Sequence, residues 1–180
     1  MGVFLGNLLL AQLCEVLPQG MHVPSELEAL YMWIEANGFY DDIYGRRRGY
    51  LYPQDQLRQS WSDGKRDGGT EIVFFTDELK NRDKTLRYWF YGKDRELAAE
   101  IEQRLCVFAR SGSDGSMCAL WINDVGETKI VHMGSGSGST MTCVLAHNGL
   151  DFLRLIAIGY DEICWDENFG TPPNSDGGDF

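Results

Sequence analysis

A chain of 180 residues with 43% hydrophobic and 12% aromatic side chains can bury one proper core and needs no disulfide or metal staple to do so. Its formal net charge of −11 is uneven: residues 1–45 hold six acids and no Lys or Arg, and residues 111–180 hold ten acids against two bases. Such a field argues against direct binding to nucleic acid or anionic membranes and speeds encounter with a basic partner, although acidity also serves plain solubility.

The apolar N-terminus, residues 1–17, lacks a basic segment and a small-residue cleavage site, and no stretch of the sequence is apolar for long enough to span a bilayer. Glu15 and the Leu/Cys spacing suit a core-facing helix, and the protein is expected to work in the cytoplasm. Ser25 and Glu28 form a capping box ahead of Leu27, Leu30, Tyr31 and Ile34, which recur at helical spacing, and Asn37-Gly38 ends that helix. Residues 39–70, rich in Tyr, Gly, Asp and Arg, read as loop with short ordered pieces, and Arg46-Arg47-Arg48 as a solvated run within it. Residues 71–76 form a short strand, the aromatic stretch 86–91 is ambiguous, and 94–104 is a surface helix with Leu97, Ala98, Ile101 and Leu105 on one face.

The most regular part follows. Apolar runs at 106–110, 117–122, 128–133 and 140–146 alternate with Gly/Asp/Ser/Asn turns, which predicts an antiparallel meander over about 105–146. A final helix is expected over 150–158, capped by Asn148 and stopped by Gly159; apolar almost all round, it should be deeply buried. The expected fold is α+β: a single domain over 1–170, a mixed or mostly antiparallel sheet packed against helices, and a flexible tail over 171–180.

The chemistry-bearing residue types do not assemble into a site. Cys14, Cys106, Cys118, Cys143 and Cys164 are odd in number, show no CxxC spacing and mostly lie in apolar runs, as reduced buried thiols do. The Gly/Ser run 134–139 precedes a strand and has no Lys, so it is a hairpin loop and not a phosphate loop. His132, His147, Cys118 and Cys143 lack zinc spacing, and no metal or other cofactor is expected. Asp161-Glu162 and Asp166-Glu167 bracket Ile163-Cys164-Trp165; an acidic rim around an aromatic anchor suits a protein interface, while Trp165 could equally belong to the core.

The order of these motifs is distinctive. The Pro-started helix ends in Asn37-Gly38, and an Ile-Val-Phe-Phe strand follows. Then come Phe108-Ala109, Asp114-Gly115-Ser116, Ala119-Leu120-Trp121, Ile130-Val131-His132-Met133-Gly134-Ser135, Val144-Leu145-Ala146 and the series from Asp151 to Glu162. The series, which runs from about Val23 to Trp165, resembles the SUKH superfamily, bacterial relatives of the yeast Smi/Knr cell-wall regulator domain. The resemblance implies an α+β fold and a non-enzymatic role: an immunity protein that binds and neutralises a secreted polymorphic toxin, often a nuclease, encoded by a neighbouring gene. An acidic protein fits the basic active site of such a toxin. The candidate toxin-binding residues are Tyr40, Asp41, Asp42, Tyr44, Asp161, Glu162, Trp165, Asp166 and Glu167. The alternatives are a small enzyme of Cys/His or carboxylate type and a regulatory scaffold.

Overall fold

Asn7 starts the first helix, α1 (Leu8–Val16), by accepting the Leu10 N–H on its side-chain oxygen at 2.8 Å. A computed structural model describes residues 6–56, 72–76, 95–111, 115–134 and 142–158, and of 95–98 the backbone alone. Leu9, Leu10, Leu13 and Val16 point α1 into the core while Glu15 faces solvent, as the N-terminal spacing requires. Helix α2 (Ser25–Ala36) buries Leu27, Tyr31 and Ile34. It begins differently from the expected capping box. Pro24 is the cap residue, with its carbonyl accepting from Leu27 and Glu28, and Ser25 already lies inside the helix with its hydroxyl on Glu26. The fixed φ of proline suits the cap position, so the helix starts one residue earlier. It ends as expected: Gly38 turns left-handed at φ +70, Gly38 N–H bonds Glu35 C=O, and Phe39 N–H bonds Ile34 C=O. The Trp33 and Phe39 rings close that end edge-on at 5.3 Å.

Among the described residues seven strands follow in one sheet, in chain order, every neighbouring pair antiparallel. They are β1 (Tyr40–Ile43), β2 (Arg46–Gly49), β3 (Val73–Phe74), β4 (Leu105–Arg110), β5 (Met117–Ile122), β6 (Thr128–Met133) and β7 (Thr142–Ala146). Helix α3 (Arg95–Glu102) precedes β4, and α4 (Gly149–Ala157) follows β7. The protein is thus an α+β single domain built on an antiparallel meander, and the four strands read from residues 106–146 lie where the turn chemistry put them. Two expectations differ. Leu105 opens β4 and does not extend the helical face, and the loop expected at 39–70 contains the hairpin β1–β2.

Helices α1, α2 and α4 cover one face of the sheet. There Cys106, Phe108, Ala109, Cys118, Leu120 and Ile130 meet the helix side chains. Tyr31 is fully buried in this layer, its ring edge-on to Phe74 at 5.8 Å and its hydroxyl donating to Phe108 C=O at 3.2 Å. Burial holds that hydroxyl protonated, far above its ordinary range. The other face carries a second cluster of Leu105, Ala119, Val131 and Met133, against which Ile101 of α3 packs.

Helix α4 starts on Asn148, whose side-chain oxygen accepts the Asp151 N–H at 2.9 Å. Only Phe152 and Gly149 are fully buried; Leu153, Leu155 and Ile156 are half-buried, and Leu150, Ala157 and Ile158 are exposed. The expectation of a helix buried all round is therefore corrected: α4 lies on the rim of the layer and drives in one ring, Phe152, edge-on to Phe108 at 5.5 Å. No helix among the described residues is long and apolar enough to cross a membrane. The stretches 86–91, 135–139 and 171–180, with Cys164 and Gly159, lie outside the described residues.

Candidate binding surface

The hairpin β1–β2 turns on two residues, Tyr44 and Gly45, with φ +51 and +75. Left-handed backbone at both positions is what a tight antiparallel hairpin needs to match strand twist. Glycine adopts it freely, whereas tyrosine does so at a cost. Tyr44 is nonetheless 99% exposed, projecting at the tip with its ring in solvent.

Behind the tip lies a polar network centred on Arg47. Asp42 faces Arg47 across the hairpin, and the guanidinium grips the carboxylate with two bonds of 2.9 Å. Arg47 also reaches Glu35 of α2 at 3.2 Å and lies over the Tyr40 ring at 3.7 Å. Glu35, its side chain 9% exposed, accepts the Leu9 N–H at 2.7 Å with its other oxygen. One carboxylate thereby ties the N-terminal turn of α1 to α2 and, through Arg47, to the hairpin. The hydrogen bond from Arg47 holds the Asp42 carboxyl below its ordinary range, and the same bond raises Arg47. On the adjacent position, the Tyr50 hydroxyl donates to Asp41 at 3.0 Å; burial and then the Asp41 charge push it up to about 12.

Tyr40, Asp41, Asp42 and Tyr44 therefore come together on one edge hairpin, but they do not make a purely acidic face. Arg46-Arg47-Arg48, expected in a solvated loop, lie in strand β2, where Arg47 and Arg48 sit directly across from Asp42 and Asp41 and Arg46 across from Ile43. Arg46 pairs with Glu15 at 3.4 Å and donates to Thr76 C=O at 2.7 Å. The surface is a mixed-charge strip with an aromatic tip. Asp161, Glu162, Trp165, Asp166 and Glu167 lie outside the described residues. Sequence reasoning missed Glu35 and Arg47; the signal was Asp41-Asp42 and Arg47-Arg48 mirrored about a two-residue Tyr-Gly turn.

The residues weighed for nucleophilic chemistry are placed differently. Cys118, His132 and Cys143 are register neighbours across β5, β6 and β7. Cys118 is fully buried, and burial pushes its thiol up to about 12; burial raises Cys143 as well. A thiol serves as a nucleophile when its surroundings lower its pKa, and both shifts run the other way. Of the cysteines expected to be reduced and buried, Cys106 and Cys118 are buried, while Cys143 is half-buried and Cys14 exposed; all four are free. Among the described residues no group of three or more His, Cys, Asp or Glu is arranged to hold a metal ion. Comparison of the chain with protein-family models, with curated proteins and with solved structures finds no match.

Proposed function

We propose that this chain is a cytoplasmic immunity protein of the SUKH type, which binds a basic toxin domain encoded by a neighbouring gene and performs no chemistry of its own. Two things support the reading. The ordered motif series from Val23 to Trp165 resembles that superfamily, and an antiparallel meander backed by helices is the architecture the resemblance implies. The observation that carries it is Tyr44: a fully exposed aromatic ring kept in left-handed backbone at a hairpin tip, where Gly or Asn would be less strained. Strain retained at an exposed aromatic marks a contact residue, and aromatic rings rimmed by paired charges are what protein interfaces use as anchors.

The test is expression of the adjacent gene's product with and without this chain. The expected result is growth arrest relieved by the chain, together with a stoichiometric complex in size-exclusion chromatography that Tyr44→Ala weakens. A neighbouring product that is harmless, or a toxin neither bound nor relieved, overturns the proposal.

A further inference from the structure

The hairpin β1–β2 joins the rest of the sheet over a short length. Its own ladder holds four residue pairs, from Tyr40–Gly49 to Ile43–Arg46, but toward β3 the register contains one, Gly49 with Phe74. An isolated two-stranded hairpin is marginal in water, so its place on the body depends on what holds it there. Among the described residues most of the other ties run to the helices. Gly49, at the end of β2 away from the tip, lies close against Leu9 and Ile34. Nearer the tip, Arg46 meets Glu15 and Thr76 C=O, Arg47 meets Glu35, and the Arg47 N–H reaches Gln12 Oε1 at 3.3 Å.

The two ion pairs are unequal. The Glu15 side chain is 63% exposed, so water and salt screen its pair with Arg46. The Arg47 and Glu35 side chains are 16% and 9% exposed, and each is held by more than the other. Glu35 accepts the Leu9 N–H, while Arg47 forks onto Asp42 and covers the Tyr40 ring. A desolvated pair whose other hydrogen-bonding positions are filled is geometrically strict, and removing one member strands the other charge. Asp42 and Arg47 form the second ladder pair back from the turn, so the constraint on Arg47 reaches both strands close to Tyr44.

We propose that Glu35 and Arg47 are positioning residues for the hairpin tip: their ion pair latches the hairpin onto α2 and so fixes where Tyr44 projects. The inference rests on the reading of Tyr44 as a contact residue and adds what sets its placement. Without the latch the hairpin detaches and frays more often, while the sheet from β4 onward, which pairs along whole strands, stays closed. A partner then binds only the fraction of molecules in which the tip stands in place. Apparent affinity falls by that fraction although no contacting atom has been lost.

The experiment compares Glu35→Gln, Arg47→Lys and Glu15→Gln with the wild type by amide hydrogen exchange of the full chain. Glu35→Gln keeps an oxygen for the Leu9 N–H and removes the charge that meets Arg47; Arg47→Lys keeps the charge and gives up the fork onto Asp42. The expected result is exchange at residues 40–49 at least ~10-fold faster in Glu35→Gln and Arg47→Lys, no change in β5 and β6, and no change anywhere in Glu15→Gln. Acceleration spread evenly over the sheet overturns the proposal, because the pair is then a general stabiliser. So does a hairpin that exchanges at the wild-type rate in Glu35→Gln, or as fast in Glu15→Gln. A second arm measures binding of the purified product of the adjacent gene to the wild type, Glu35→Gln, Tyr44→Ala and the double variant. Glu35→Gln should raise the dissociation constant at least ~5-fold when Tyr44 is present and add nothing in the Tyr44→Ala background, because it acts through the ring. Additive effects overturn the positioning role and leave Tyr44 a contact. A Tyr44→Ala variant that binds like the wild type removes the contact reading itself, and with it the role of the latch.

Discussion

At the tip of the edge hairpin, Tyr44 holds φ +51 in a turn position that favours Asn or Gly. Tyr44→Asn should raise the unfolding free energy by about 1 kcal/mol, since Asn tolerates the left-handed region, and under the proposed function it should also weaken binding of the toxin. Denaturant melts and binding titrations on one preparation check both halves; loss of stability would show that the tyrosine ring packs in solution. Asp42 gives a second residue-scale expectation. Its carboxyl is held below the ordinary range by Arg47, so its stabilising effect is complete above the unfolded-state value of about 4 and is lost as pH falls through the lower folded value. The carboxylate is half exposed, which limits the effect of Asp42→Asn to about 0.5 kcal/mol at neutral pH. The stability gap between variant and wild type should close below about pH 4, and a gap that widens in acid would contradict the assignment. These partners were half legible: Asp41-Asp42 and the arginine run are plain in the sequence, but an acidic pair followed by a basic run looks the same in a loop and in a hairpin until the register sets Asp42 against Arg47.

Among the elements, β2 and α4 separate what packing demands from what pattern suggests. A methyl group on Gly49 would stand 2.8 Å from the Leu9 Cδ1 and 2.9 Å from the Ile34 Cγ2, so strand β2 lies against α1 and α2 only because that side chain is absent. Gly49→Ala is expected to cost about 1–3 kcal/mol through overpacking, read as a lower denaturant midpoint with unchanged slope. In α4 the fully buried Phe152 and the half-buried Leu155 share a helix and differ in surroundings. Phe152→Ala should cost about 3–5 kcal/mol and Leu155→Ala about 1–2 kcal/mol; equal losses would mean that α4 is buried on both sides. The start of this helix was readable, because Asn148 is a strong cap. Its depth was not, because an apolar side chain reports that it can be buried, not that a neighbour reaches it. The hairpin was missed for a related reason. Strand propensity favours β-branched and aromatic residues, whereas Tyr-Asp-Asp-Ile and Arg-Arg-Arg-Gly pair through charge across an edge.

For the whole molecule, the dominant quantity is the net charge of −11. If the chain captures a basic toxin, its association rate should fall as salt rises while dissociation changes little, because long-range steering is screened and close contacts are not. Stopped-flow mixing with the purified toxin across a salt series measures this. A flat rate would reduce the acidity to a solubility device. The ion pair of Asp42 with Arg47 narrows the source of that steering, since this hairpin acid is neutralised where it stands.

The sequence by itself determined the α+β class, strands β4–β7 of the meander, both ends of α2 to within a residue and the cap of α4. Each of these depends on turn chemistry and periodicity that act within a few residues. Only the tertiary structure decided that Glu35 would tie α1 to the hairpin, that three arginines would line a strand, that α4 would sit on the rim, and that one sheet edge would be charged and the other apolar. Those features arise between residues far apart in the chain. Which side chain meets which is set by strand register and by how closely a helix can approach, and neither leaves a periodic trace in the sequence.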